Sequence, residues 1–153
     1  MCIRDSAEAL APRIPMDRPR FLFASDGAAA VEQALKIAFQ YWTNQGVAGR
    51  DTYLAFGGAY HGDTIGTLAV GAGWFGTDVY EPLRFPVRRS PSLSEPGAVE
   101  AAVAAIAEHA SELAAVVLEP LVQGAAGMAL IPPEAVAAVA EAAADHDVLV
   151  IHD

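Results

Sequence analysis

Uninterrupted apolar runs alternate along the chain with stretches whose apolar residues recur every three or four positions. The runs predict buried strands at residues 21–24, 52–56, 114–118 and 148–151. The helical spacing predicts helices at residues 28–42, at residues 99–109 and from Pro132 onward. Strands that are apolar throughout and separated by helices predict an α/β fold, with a mainly parallel sheet covered by helices on both faces.

Other segments give weaker signals. Three prolines within residues 7–20 predict an irregular lead-in of extended or turn structure. Residues 64–70 fit a short helix or a strand, and glycine and proline make residues 71–96 largely loop. Residues 1–6 resemble a translated sequencing-adapter scar, and we expect them to be non-native.

Composition and charge narrow the class of protein. With 153 residues, 54% apolar and 18% charged, the chain is long and apolar enough for one globular domain. Nine basic and 19 acidic residues give a net charge of −10, so we expect neither nucleic acid nor an anionic membrane as a partner. A single cysteine and no recognisable signal peptide or membrane span favour the cytoplasm.

Ligands of open parallel sheets bind at the carboxyl ends of the strands, so the residues after each predicted strand are candidates. Gly27 and the first N–H groups of the following helix can bind a phosphate, although Asp26 equally fits a helix cap without a ligand. Glu119 and Asp153 each follow a strand, where a carboxylate can act as acid, base, countercharge or Mg²⁺ ligand. Each carboxylate is also compatible with a simple strand end.

The glycine-rich loop at residues 57–62 is a further candidate. Its Tyr60 can cover a planar ligand, and the glycines leave room for one. His61 and Asp63 lack further metal ligands at a recognisable spacing, so we expect no metal there. Tyr60 and His61 are also compatible with purely structural packing.

Two features that could indicate a cofactor site lack the surroundings that such a site needs. Residues 71–76 match G-x-G-x-x-G, but prolines soon follow where a dinucleotide site needs a helix. The sole lysine, Lys36, lies in the middle of a predicted helix, where we expect it to pair with Glu32 on the surface. An exposed lysine of this kind is not expected to form a Schiff base.

Five motifs in their order along the chain resemble those of the class III, pyridoxal-phosphate-dependent aminotransferases of fold type I. They are Ser-Asp-Gly-Ala-Ala-Ala-Val-Glu at 25–32, Phe-Gln-Tyr-Trp at 39–42, Tyr-His-Gly-Asp-Thr at 60–64, Glu-Pro-Leu-Val-Gln-Gly at 119–124 with Gly127 and Met128, and Ile-His-Asp at 151–153. Within the class, the middle three most resemble the aminotransferases of biotin synthesis, which transfer an amino group from S-adenosylmethionine to 8-amino-7-oxononanoate. Another ω-amino acid or diamine aminotransferase, or a non-catalytic α/β domain that binds a phosphorylated metabolite, remains an alternative.

The resemblance implies pyridoxal 5'-phosphate as cofactor and a small-molecule amino donor and keto acceptor as substrates. Tyr60 would lie against the cofactor ring and border the substrate, and Asp153 would pair with the ring nitrogen. The residues that the resemblance assigns to cofactor binding are Asp26, Gly27, Ala28, Tyr60, His61, Glu119 and Asp153.

Two departures from the family pattern change these expectations. Asp26 and Ala28 stand where the family commonly has hydroxyl residues, so backbone N–H groups are left to hold the phosphate. The chain stops at Asp153, before the family's Schiff-base lysine. We therefore expect residues 21–153 to be a partial cofactor-binding large domain whose C-terminal remainder is missing. The isolated chain should contain no catalytic residue and be inactive, while the full-length protein should be a homodimer.

Overall fold

The computed structural model describes residues 3–73 and 76–153. Its helices are α1 (Ile3–Leu10), α2 (Gly27–Asn44), α3 (Ile65–Val70), α4 (Ala98–His109) and α5 (Pro133–Asp145). Its strands are β1 (Thr52–Phe56), β2 (Arg88–Ser90), β3 (Leu113–Leu118), β4 (Val122–Gln123), β5 (Ala129–Leu130) and β6 (Leu149–His152). Short 3₁₀ helices span Ala11–Arg13 and Thr77–Leu83.

Among the described residues the main sheet has four strands in the order β2-β1-β3-β6, and their pairings are parallel. Strands β4 and β5 form a separate antiparallel pair. The predicted α/β class is thus confirmed. Parallel pairing brings the carboxyl ends of β1, β3 and β6 to one edge of the sheet, and that edge carries the candidate residues.

Two hydrophobic cores cover the two faces of the sheet. On one face Leu54, Phe56 and Val116 pack with α4 and α5, and on the other Tyr53 and Ala55 pack with α2. All six residues of β3 are buried. Burial on both faces explains why the central strands are apolar at every position rather than at alternate ones.

Helix α2 confirms the prediction for residues 28–42 with small extensions at both ends. Its buried residues are those that recur at helical spacing, namely Val31, Leu35, Ala38 and Trp42. The Trp42 indole N–H donates to the carbonyl of Ala114, 2.9 Å away, which fixes the helix against β3. None of the helices in the described part of the chain is long and apolar enough to cross a membrane.

One prediction near the start of the chain is wrong, and a second is wrong only for residues 7–13, since residues 14–20 form neither helix nor strand. Residues 21–24 form no strand: Leu22 is 67% and Phe23 44% exposed, because this apolar run lies outside the sheet and has no strand to pair with. Residues 7–10 belong to helix α1, because the first proline, Pro12, follows that helix and sits in the first turn of a 3₁₀ helix, which tolerates it. The origin of residues 1–6 stays a prediction.

The middle of the chain contains more regular structure than predicted. The segment at residues 64–70 forms helix α3 with Thr64 as its N-cap, and the expected loop at 71–96 contains a 3₁₀ helix and strand β2. Strand β2 consists of two arginines and a serine, so no apolar run marks it. The glycine motif at 71–76 includes Trp74 and Phe75, which lie outside the described residues, and α3 precedes it where a dinucleotide site needs a strand.

Candidate functional site

The start of α2, the loop after β1 and the end of β6 enclose a cleft of about 590 Å³. The residues that line it are Asp26, Gly27, Ala28, Tyr60, His61, Gly62, Asp63, Thr64 and Asp153. The fold therefore brings together every residue predicted for the site except Glu119.

Asp26 caps the first turn of α2. The N–H of Ala29 donates to Asp26 Oδ1 and the Ser25 hydroxyl to Asp26 Oδ2, each at 2.7 Å. These two hydrogen bonds, the one from Ala29 first, lower the pKa of the Asp26 carboxyl. Within the described part of the chain the N–H groups of Gly27 and Ala28 donate to no protein acceptor. The helix is thus capped, and it still presents two backbone donors at the cleft wall.

Gly62 brings the loop into contact with the start of α2. Its φ is +113°, and a Cβ added there would lie 2.4 Å from the Cβ of Ala28. A side chain at residue 62 would push the loop away from α2. The glycine therefore sets the width of the cleft.

Tyr60 is held at both its ring and its backbone. Its hydroxyl donates to Asp63 Oδ2 at 3.0 Å, and its N–H donates to Glu119 Oε2 at 3.1 Å. The hydrogen bond to Asp63 raises the pKa of the Tyr60 hydroxyl. Glu119 Oε1 also accepts from the N–H of Gly124 at 3.2 Å. Glu119 thus lies behind the loop and positions Tyr60, so its assignment to cofactor binding stays a prediction.

His61 and Asp153 meet at the edge of the cleft. The His61 side chain has no exposed surface, and its Nδ1 lies 2.8 Å from Asp153 Oδ2. The N–H of Asp153 donates to the carbonyl of Leu118 at 3.0 Å. The end of β3 therefore anchors the backbone of Asp153, and the buried histidine contacts its carboxylate.

The geometry gives the Mg²⁺ alternative no support. The Glu119 oxygens accept from two backbone N–H groups, whereas the Asp153 carboxylate contacts His61. The Asp63 carboxylate accepts from Tyr60 and does not join His61. Residues 3–73 and 76–153 contain no group of three or more acidic, histidine or cysteine side chains that could hold a metal ion.

Glu32 has a different partner from the one predicted. Its Oε2 accepts from the Thr64 hydroxyl at 2.6 Å, and no ion pair with Lys36 is among those of the described residues. A Cβ at Gly66 would lie 2.5 Å from the same oxygen. Glu32 therefore joins α2 to the start of α3, and Lys36 stays exposed on the helix surface, as expected.

A second cavity of about 710 Å³ adjoins the cleft and shares Tyr60 and Asp63 with it. Its other lining residues are Ile65, Leu68, Thr77, Tyr80 and Ala125. Sequence reasoning missed these residues, because Thr77 and Tyr80 reach the site only through the unpredicted 3₁₀ helix.

The groups around the cleft are chemically complementary to one kind of ligand. Backbone N–H donors suit a phosphate, the Tyr60 ring suits a flat ring system, and the Asp153 carboxylate suits a protonated ring nitrogen. The residues present therefore fit a phosphorylated, nitrogen-containing aromatic molecule.

Comparison with known proteins gives consistent matches. The family model described as aminotransferase class-III matches residues 2–153. The adenosylmethionine-8-amino-7-oxononanoate aminotransferase of Anoxybacillus flavithermus is 38% identical over 160 residues, which cover 96% of this chain and 35% of that protein. The chain thus spans about a third of the length of the curated relatives it matches.

Solved structures match over nearly all of the chain. The adenosylmethionine-8-amino-7-oxononanoate aminotransferase of Methanocaldococcus jannaschii gives a TM-score of 0.92 at 33% identity, covering 96% of this chain and 34% of that one. An amine transaminase from an uncultivated Pseudomonas species, solved in its PLP-bound form, gives a TM-score of 0.84 at 30% identity. The match covers 97% of this chain and 37% of that one.

Proposed function

The chain belongs to the class-III aminotransferases, and from this membership we propose that its cleft binds pyridoxal 5'-phosphate. One observation carries the proposal: the free N–H groups at the start of α2, the Tyr60 ring and the Asp153 carboxylate line a single cleft. When bound, pyridoxal phosphate supplies an electron sink that lets a substrate amine lose its α-proton.

Each end of the cleft has its own task in this proposal. The N–H groups of Gly27 and Ala28 bind the phosphate oxygens, aided by the positive end of the α2 dipole. Tyr60 forms the wall against the ring, and its bonds to Asp63 and Glu119 keep it in place. Asp153 accepts from the ring N–H and keeps that nitrogen protonated.

The two matched proteins that carry the same name suggest the substrates. We infer that the complete enzyme takes its amino group from S-adenosylmethionine and transfers it to 8-amino-7-oxononanoate, as in the named relatives. The amine transaminase match, at 30% identity, supports transfer from another amine as the alternative. The proposal also includes a homodimeric assembly, taken from the resemblance, and a cytoplasmic location, which the single cysteine favours.

Cofactor binding is tested with pyridoxamine 5'-phosphate, whose amine cannot condense with Lys36 or the N-terminus. Calorimetric titration of the chain should give an affinity at least about tenfold higher than that for inorganic phosphate, because the ring adds contacts with Tyr60 and Asp153. Asp153→Ala should remove that preference, while Asp145→Ala, a change at an exposed aspartate in the last turn of α5, should leave it. Equal affinities for pyridoxamine phosphate and inorganic phosphate would contradict the proposal.

The substrates are tested on the product of the source gene, expressed with any coding sequence that continues this frame. Incubation with 8-amino-7-oxononanoate and either S-adenosylmethionine or a diamine, followed by mass spectrometry, identifies the donor. We expect 7,8-diaminononanoate with adenosylmethionine. Product formed only with the diamine would favour the alternative.

A further inference from the structure

The buried side-chain amide of Gln123 joins three parts of the chain. Gln123 lies in β4 and is 2% exposed. Its Nε2 donates at 2.9 Å to the carbonyl of Gly57, the first residue after β1. Its Oε1 accepts from the hydroxyl of Ser92, in the segment after β2. A buried amide is unfavourable unless its polar groups are paired, and here both groups are. Gln123 therefore ties the ends of β1 and β2 to β4.

The chemistry of the two partners determines which way round the amide lies. A backbone carbonyl only accepts hydrogen bonds, so the NH₂ group has to face Gly57. The Ser92 hydroxyl then donates to the remaining oxygen. A flipped amide would set its oxygen against the Gly57 carbonyl oxygen, which is unfavourable in a buried site. The amide therefore has one favourable orientation.

The peptide that joins Gly57 to Gly58 is the part of the loop after β1 that most needs a fixed partner. Neither glycine has a Cβ to restrict φ and ψ, so this peptide plane rotates more easily than one between substituted residues. The pairing of β1 with β2 ends at Phe56 and Ser90, and the Gly57 N–H still donates to the carbonyl of Ser90. Gln123 supplies the donor for the other side of Gly57, its carbonyl.

The same amide also packs against Gly58. The φ of Gly58 is +71°, and a Cβ added there would lie 3.2 Å from Gln123 Oε1. Farther along the loop, the Tyr60 N–H donates to Glu119. Glu119 and Gln123 thus hold the loop at two points, and Gln123 acts on the pair of glycines through which the loop leaves the sheet.

A tight turn lets Glu119 and Gln123 reach the same loop. The N–H of Val122 donates to the carbonyl of Pro120 at 2.8 Å, and Leu121 between them has a φ of +69°. A γ-turn with a positive φ at its centre is rare, and it is strained for a residue other than glycine. The chain retains this strain at the point where the two side chains turn toward the loop.

We propose that Gln123 is a positioning residue that holds the Gly57–Gly58 peptide in one orientation and so keeps Tyr60 at the wall of the cleft. Tyr60 follows in the same loop and lines both cavities. Gln123 is not among the described residues that line them, so it acts through the loop and not by contact with a ligand. The claim that Tyr60 contacts a cofactor ring rests on the proposed function, whereas the orientation of the loop does not.

The orientation of this peptide is measured by residual dipolar couplings of the ligand-free, ¹⁵N-labelled chain. The Gly58 N–H lies in the same plane as the Gly57 carbonyl, so its coupling reports that plane, and the couplings of α4 and α5 define the alignment. In the parent chain the couplings of Gly58 and Tyr60 should agree with the structure. In Gln123→Met, which fills the space without an N–H donor, both should change while those of α4 and α5 stay. Unchanged couplings in the variant, or parent couplings that disagree with the structure, would overturn the proposal.

Two further variants accompany this comparison. The exposed Gln45→Met is the control and should leave the Gly58 coupling unchanged. Ser92→Ala removes the hydroxyl that fixes the amide and keeps Gln123, so the Gly58 coupling should change by less than in Gln123→Met. If Gln123→Met does not fold, an unchanged Gly58 coupling in Ser92→Ala overturns the proposal.

Ligand binding separates positioning from a general loss of structure. Affinity for pyridoxamine phosphate should fall at least about threefold in Gln123→Met, whereas affinity for inorganic phosphate, held at the start of α2, should stay within about 1.5-fold. Equal losses for the two ligands would contradict an action through Tyr60. A parent chain without a preference for pyridoxamine phosphate would contradict the proposed function, and the Gly58 coupling would then still decide the role of Gln123.

Discussion

Single residues at the cleft have structural roles that the sequence predicts only in part. Asp26 is a helix cap, as its place before a helix predicts, and the same turn leaves the N–H groups of Gly27 and Ala28 free. Sequence position could place His61 and Asp153 near one sheet edge, but not in contact, since they are 92 positions apart. The hydrogen bond between Thr64 and Glu32 could not be predicted either, because Lys36 is a nearer partner for Glu32 in the sequence.

The Asp26 cap predicts a pH-dependent stability. Because its hydrogen bonds lower the pKa of this carboxyl in the folded chain, the charged form stabilises the fold above the ordinary carboxyl pKa of about 4. That stabilisation is lost as the pH falls through the lower, folded value. Asp26→Asn keeps a capping oxygen without the charge, so it should be less stable than the parent chain at about pH 7 and nearly as stable at about pH 2.5.

Urea unfolding of both chains at several pH values measures this difference. A gap in unfolding free energy that stays constant from neutral to acidic pH would contradict the assigned role of the charge. Because Asp26 is at the cleft, the comparison is made without any ligand.

At the scale of elements, the pattern of apolar residues predicted the buried helices and strands and missed the exposed ones. Helix α2 and strand β3 are specified by buried apolar residues and match their predictions closely. Strand β2 is polar and lies at an edge, where backbone pairing rather than side-chain burial defines it. Residues 21–24 were predicted as a strand and are not one, because an apolar run forms a strand only where a neighbouring strand pairs with it.

The contact between the loop and α2 predicts a strong effect of Gly62→Ala. The new Cβ would meet the Ala28 Cβ at 2.4 Å in a backbone conformation with φ of +113°. Overpacking and strain together should cost about 2 kcal/mol or more of stability. Gly27→Ala is the matched control, because a Cβ there meets nothing within 4 Å and the expected change is below about 0.5 kcal/mol.

Denaturant unfolding of both glycine variants tests this expectation. Similar stabilities for Gly62→Ala and Gly27→Ala would show that the loop does not rest on α2 as described.

Helix α4 offers a second comparison at this scale. Ile106 is fully buried between α4 and the sheet, whereas Ile37 on α2 is 54% exposed. Ile106→Ala should therefore cost about 2 to 5 kcal/mol, and Ile37→Ala less than about 0.5 kcal/mol. Comparable losses for both isoleucines in thermal or urea unfolding would contradict the assigned core.

At the scale of the whole molecule, the hydrophobic cores on both faces of the parallel sheet hold three separate parts of the chain at one cleft. The fold class followed from the sequence because parallel strands buried on both faces are apolar throughout. The shape of the cleft could not be predicted from the sequence, because its width depends on the Gly62–Ala28 contact. The adjoining cavity could not be predicted either, because it depends on a 3₁₀ helix with little apolar signal. The motif resemblance led to a proposed set of site residues, which packing arguments alone could not rank.

Backbone NMR mapping of pyridoxamine 5'-phosphate on the ¹⁵N-labelled chain tests most directly whether this cleft is the cofactor site. The account predicts that the amide signals of Gly27, Ala28, Tyr60 and Asp153 shift together with one dissociation constant. The start of α4 at Gly97 and Ala98, another helix N-terminus on the same chain, should not respond. Shifts of equal size at α4, or none at Tyr60 and Asp153, would show that any binding is non-specific attraction of phosphate to helix ends and would contradict the account.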